Sequence, residues 1–132
     1  MSNRVVHFEI HAGDVARAQQ FYGDIFGWQF QDWSEYAGMP YFGIVTGEEG
    51  EPGIDGGLMQ RQGDGAGPGA PVNGAVLTIG VGNYDAIHER ILAAGGMVAL
   101  PKYALPGMAW QGYYLDPDGN VFGIHQPDEN AG

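Results

Sequence analysis

Residues 7–11 read HFEIH. In a strand, successive side chains point to opposite faces, so His7, Glu9 and His11 share one face and Phe8 and Ile10 the other. Two imidazoles flanking a carboxylate suggest three kinds of chemistry. They could ligate a divalent metal, because neutral imidazole and carboxylate are both common ligands. They could act as acid and base, because imidazole titrates near neutral pH. Or they could simply be solvated, with Phe8 and Ile10 packed under helices. Same-face residues i and i+2 can reach one ion, so a site around His7 and Glu9 could recruit His125 or Asp55. His11, at the strand end beside Gly13, is expected to lie too far from Glu9 to share it.

Other reactive groups are few. There is no cysteine, which excludes disulfides, thiolate metal sites and a cysteine nucleophile. Ser2 and Ser34 are the only serines, and neither sits in a nucleophile motif. His88 lies mid-helix beside Glu89 and reads as a surface residue. The run DPDGN (116–120) resembles a calcium loop only superficially: its glycine comes at the fourth place, not the sixth, and the distal glutamate is missing, so it is a turn. The Gly- and Pro-rich stretch 63–74 lacks the preceding strand and following helix of a phosphate-binding loop and reads as a linker. A formal net charge of −11 would repel a phosphate backbone or an anionic bilayer, which sets aside nucleic acid and membrane partners. No apolar run reaches the roughly 20 residues of a membrane span, and the opening MSNRVVHFEI lacks a signal-peptide apolar region, so a cytoplasmic location is expected.

The elements that would position these residues occur twice. At an offset of 69, VHFEIHAGD (6–14) falls on AVLTIGVGN (75–83). Each is an alternating strand that ends at a helix-capping side chain, Asp14 or Asn83. Apolar residues at helical spacing predict helices over about 15–26 and 84–94. Glycine at 27 and 96 predicts their ends. Short strands follow at 28–30 and 97–99, then aromatic-rich strands at 41–45 and 110–115, then a turn and a last strand. Each half is thus strand, helix, three strands. One half alone leaves a sheet face bare, so the two are expected to pack as one α+β domain spanning 1–132: module one about 4–62, linker 63–74, module two about 72–127.

HFEIHAGDVARAQQFYGDIFGW, with LDPDGNVFGIHQ near the other end, resembles the vicinal oxygen chelate superfamily of glyoxalases, bleomycin resistance proteins and extradiol dioxygenases. The nearest branch is the small bacterial proteins related to lactoylglutathione lyase, whose FY…FGW, PK…PGM.W and DPDGN blocks match 21–28, 101–110 and 116–120. The resemblance implies two βαβββ modules whose eight strands form a curved, mostly antiparallel sheet with helices outside, and a cup lined by both. It also implies up to four metal ligands, one from each of four strands. The matching positions are His7, Val76, Gly123, and Gly57 or Leu58, so one ligand of four survives. One imidazole holds a divalent ion poorly, so no metal and no other cofactor is expected.

With metal set aside, the expected pocket residues are His7, Glu9, Thr78, Tyr41, Trp110, Tyr114 and His125, and no catalytic residue can be named. Thr78 is the second-half counterpart of Glu9, and Val76 that of His7. Trp28, Trp33 and Tyr36 join the large amphipathic side chains near the cup, most of them as packing. The implied function is binding of a small organic molecule without metal. The alternatives are a metal-dependent lyase, isomerase or dioxygenase with a site rebuilt around His7, and a drug-sequestering protein without catalysis. A homodimer is also implied, its apolar area coming from the hairpins at 33–45 and 103–114.

Overall fold

A computed structural model describes residues 2–132. By its contacts the chain forms two compact units: His7–Ala75, and Val76–Gly132 together with the residues up to Val6. The first follows the order β1 (Val5–Ala12), α1 (Val15–Phe26), β2 (Gln29–Asp32), α2 (Ser34–Ala37), β3 (Tyr41–Val45) and β4 (Gly56–Gln60). The second follows β5 (Val76–Gly80), α3 (Tyr84–Ala93), β6 (Met97–Leu105), β7 (Ala109–Leu115) and β8 (Val121–Pro127). Strand–helix–three strands therefore occurs twice, as the 69-residue repeat predicts. The chain is α+β with eight mostly antiparallel strands among the described residues.

Both main helices start where a side chain can satisfy their open N–H groups. Asp14 accepts from the Arg17 N–H at 3.0 Å and Asn83 from the Ala86 N–H at 3.1 Å. Helix α1 ends at Gly27 in the left-handed region, φ 73°, which glycine enters without a Cβ clash. Helix α3 stops at Ala93, three residues before the expected Gly96. Its cap is Ala94, and Gly95 makes the left-handed turn at φ 97°. Gly96 is needed for another reason: a Cβ there would come within 2.5 Å of Ile91 Cγ2. The short α2 falls where a hairpin is predicted, and β6 runs to nine residues rather than three. Residues 63–74 carry neither helix nor strand.

In the first unit the strands pair β2–β3 and β3–β4 antiparallel and β4–β1 parallel. Ile44 and Leu58 are buried, and Phe8 sits 5.8 Å from Trp28, which stacks on Tyr22 of α1 at 5.0 Å. The face of β1 that carries Phe8 thus meets the helix. Phe21, Ile25 and Phe26 of α1 stay exposed, as do Trp33 and Tyr36. In the second unit, β5–β8 is parallel and β8–β7 and β7–β6 are antiparallel. Its core is Val81, Tyr84, Tyr114 and Ile124, with Ile79, Ile87, Ile91, Trp110 and Phe122 against it.

Candidate functional site

The register sorts the first unit's residues by face. Glu9 pairs with Gly57 and His11 with Met59; Tyr41 pairs with Met59 and Gly43 with Gly57. Directly opposed residues share a face, so His7, Glu9, His11, Tyr41, Gly43 and Gly57 lie together, away from Phe8 and Trp28. This face is not the solvated one. Glu9 is only 7% exposed, more buried than Phe8 or Ile10. Nor is His11 out of reach: its Nε2 lies 3.5 Å from Glu9 Oε1. The end of β1 is held in place by Arg61, whose Nη2 donates to the His11 carbonyl at 2.8 Å and whose N–H donates to the Ala12 carbonyl at 2.9 Å.

Tyr41 and Trp33 cover the two glycines. A Cβ on Gly43 would touch the Trp33 ring at 3.6 Å, and one on Gly57 would overlap the Tyr41 hydroxyl, with Tyr41 Cζ at 2.6 Å. The two rings are nearly parallel, 6.5 Å apart and 16° between planes. The Tyr41 hydroxyl is 3.5 Å from His7 Nε2. Asp55 is oriented by the Thr46 N–H, which donates to its Oδ1 at 2.9 Å.

Burial is the largest influence on His7 and lowers its pKa below 6.5; Glu9 and Asp55 pull it back up. The folded protein therefore favours neutral His7. Below pH 6.5 the unfolded chain takes up this proton first, so His7 costs stability as pH falls toward its folded midpoint. NMR titration should give a His7 midpoint below 6.5, and Glu9→Gln should lower it further by removing the larger raising charge. A midpoint that rises in that variant would show that the carboxylate does not act on His7.

In the second unit, Thr78 pairs with Gly123, and β7 sets Gln111 opposite His125 and Tyr113 opposite Gly123. These five residues share one face. Gln111 Oε1 is 2.8 Å from His125 Nδ1. Trp110 and Tyr114, the other expected pocket residues, project to the opposite face. Tyr114 is 1% exposed within the core under α3, and its hydroxyl donates to the Tyr84 hydroxyl at 3.0 Å. Trp110 packs beside that core and donates from Nε1 to Asp128 at 3.0 Å. His88 is not a plain surface residue: its Nδ1 lies 2.8 Å from the Tyr114 hydroxyl. Of the expected pocket residues, His7, Glu9 and Tyr41 come together in the first unit, and Thr78 and His125 share a face in the second. Sequence reasoning missed His11 as a partner of Glu9 and missed Gln111 altogether; its place opposite His125 was the available signal.

The metal implied by the resemblance does not fit these residues. Tyr41 fills the space above Gly57, Gln111 Nε2 stands 2.9 Å from where a Gly123 Cβ would be, and Val76 offers no donor. Among the described residues, no three His, Asp or Glu side chains are grouped so as to hold an ion.

Known proteins with related sequences or folds fit this architecture. A family profile described as "Bleomycin resistance protein-like N-terminal" matches residues 4–40. The glyoxylase-named protein CFP32 of Mycobacterium bovis is 24% identical over 127 residues, covering 94% of this chain and 46% of that protein; the Mycobacterium tuberculosis counterpart matches equally. The chain thus spans about half the length of the curated relatives it matches. A glyoxalase/bleomycin resistance protein/dioxygenase superfamily member from Vibrio splendidus shares the fold, with a TM-score of 0.64, 19% identity, and 95% and 99% of the two chains covered. The Mn(II)-bound glyoxalase from Novosphingobium aromaticivorans gives 0.57 and 19%, over 98% of this chain and 40% of that one. Methylmalonyl-CoA epimerase from Mycobacterium tuberculosis gives 0.59 and 16%, over 94% and 87%. Among the described residues, no helix is long and apolar enough to cross a membrane.

Proposed function

We propose that the chain is a member of the vicinal oxygen chelate superfamily, a reading supported by its fold and by the match over residues 4–40, and that it binds a small organic molecule without a metal, through the polar face carrying His7, Glu9 and Tyr41. The observation that carries this reading is Glu9. A carboxylate 7% exposed in a strand, at ion-pair distance from one imidazole and two residues from another, is costly to place. The flat Trp33–Tyr41 pair beside it supplies apolar, aromatic surface for a ligand body.

A thermal-shift screen of the purified protein tests the proposal. An aromatic metabolite or glutathione adduct should raise the midpoint, because a ligand that binds only the native state stabilises it. Zinc, nickel, manganese and iron(II) should not, and elemental analysis after dialysis should give far less than one metal per chain. A sharp rise with one of these ions, or near-stoichiometric metal, would move the reading to a metal-dependent enzyme built around His7.

A second reading has its own observation. The 46–55 loop bounds a hollow of about 460 Å³ lined by Glu48, Glu49, Glu51 and Asp55. With the charge of −11, it favours capture of a cationic molecule, so a cationic glycopeptide belongs in the same screen. We include a second copy of the chain as partner, since Phe21, Ile25 and Phe26 remain exposed; light scattering that gives only the monomer mass would remove that element.

A further inference from the structure

We propose that the second unit binds a small neutral hydroxyaromatic molecule between α3 and β6, with the phenolic O–H donated to His88 Nε2. The site lies on the helix-covered face of this unit's strands, opposite the face that carries Thr78, Gln111 and His125. All its residues belong to the second unit.

A hollow of about 370 Å³ opens here, lined by Tyr84, Asp85 and His88 of α3, by Val98, Pro101 and Lys102 of β6, and by Tyr114. The strand is shaped for it. From Val98 to Tyr103, β6 takes five residue steps while β7 takes three, from Tyr114 to Gln111, so two extra residues bulge out of β6. In a regular strand Pro101 and Lys102 would point to opposite faces. Bulges re-aim side chains, and here both residues line one hollow. Tyr84 and Tyr114 are each 1% exposed, so the floor is two buried phenols. Val98 and Pro101 supply apolar walls. At the rim, Lys102 Nζ donates to Asp85 Oδ1 at 3.0 Å and stands over the Tyr84 and Trp110 rings, 5.3 Å and 4.6 Å from their centroids.

The chemistry of the guest follows from a count of protons. Tyr114 has one, and gives it to the Tyr84 hydroxyl at 3.0 Å. The 2.8 Å contact between His88 Nδ1 and the Tyr114 hydroxyl must then run from Nδ1–H to the phenol oxygen. A neutral imidazole carries one ring proton, so Nε2 keeps its lone pair, and among the described residues nothing donates to it. The two ring nitrogens point in diverging directions. With Nδ1 turned to the floor, Nε2 is turned to the open side. The guest must therefore bring a donor. The Lys102 ammonium at the rim repels a cationic one. An anion has no proton to offer and meets a chain of net charge −11. A neutral O–H on an apolar body remains. A phenol, with a pKa of about 10, is a stronger donor than an aliphatic alcohol, and its flat ring suits walls of valine and proline.

The test uses the full chain, isotope-labelled, titrated with p-cresol and followed by NMR. In the free protein, imidazole ¹⁵N shifts should show His88 protonated at Nδ1 and bare at Nε2. p-Cresol should shift His88 Nε2 and the Val98 methyl groups along one saturating curve. 4-Methylanisole, the same ring with its O–H methylated, should bind at least about tenfold more weakly. Benzoate should leave both signals in place. His88→Phe keeps a ring in position and should erase the preference for p-cresol over 4-methylanisole. Val98→Trp, a change at a side chain 39% exposed, fills the hollow and should abolish the response, which keeps the test decisive if the His88 variant folds poorly. A bare Nδ1 in the free protein, equal affinity for p-cresol and 4-methylanisole, or an undiminished response in Val98→Trp would each overturn the proposal.

Discussion

Tyr114→Ala should lower the unfolding free energy by about 3–5 kcal/mol, the range for deleting a large aromatic side chain from a packed core. Tyr114 is 1% exposed and sits between Tyr84 and Phe122, with ring centroids at 6.4 Å and 5.9 Å. The neighbours cannot close over the space it leaves, because Tyr84 is itself fixed: a Cβ on Gly112 would already overlap the Tyr84 hydroxyl. The hydroxyl of Tyr114 adds a second component. It donates to the Tyr84 hydroxyl and lies 2.8 Å from His88 Nδ1, so Tyr114→Phe leaves two polar groups short of a partner and should cost about 1–3 kcal/mol. Urea denaturation followed by circular dichroism separates the two variants. A loss below about 1 kcal/mol for the alanine variant would show that Tyr114 is not part of a packed core.

Tyr114 also shows where sequence reading fails and why. The repeat, both helix starts and the strand order within each half follow from local signals: capping side chains, helical spacing and turn residues. The face of a strand does not follow so easily when both faces carry large side chains. WQGYYL puts aromatic residues at both parities, so the sequence does not decide whether Tyr113 or Tyr114 enters the core. Pairing decides it: Tyr113 opposes Gly123, which places Tyr114 under α3. His88 fails for a related reason. Beside Glu89 on a helix it looks solvated, and only a strand 26 residues away reveals its partner. Glu9 defies the general rule that carboxylates stay in water; its burial comes from long-range packing and not from HFEIH itself. Gly57 and Gly123 were legible as missing ligands. What stands in their places, a phenol and an amide, belongs to neighbouring strands and could not be read from either glycine.

Gly57→Ala should destabilise the protein by about 2 kcal/mol, within the range for overpacking a fitted site, and should abolish ligand binding on the His7–Glu9 face. The new methyl would overlap the Tyr41 hydroxyl and approach Cζ to 2.6 Å. The phenol must leave, which breaks its approach to His7 Nε2 and its stacking on Trp33. The backbone raises no objection of its own, since Gly57 is not among the positive-φ glycines and its conformation is open to alanine. The cost is therefore one of occupancy, and a double-mutant cycle can isolate it. Once Tyr41→Ala has removed the phenol, adding Gly57→Ala should cost almost nothing, giving a coupling energy of about 1–2 kcal/mol between two residues on adjacent strands. Strict additivity would mean that Tyr41 does not occupy the space above Gly57. The same geometry explains why a coordinating side chain has no room at this position: any residue larger than glycine competes with Tyr41 for one volume. A metal-binding variant would have to lose the phenol before it could gain a ligand.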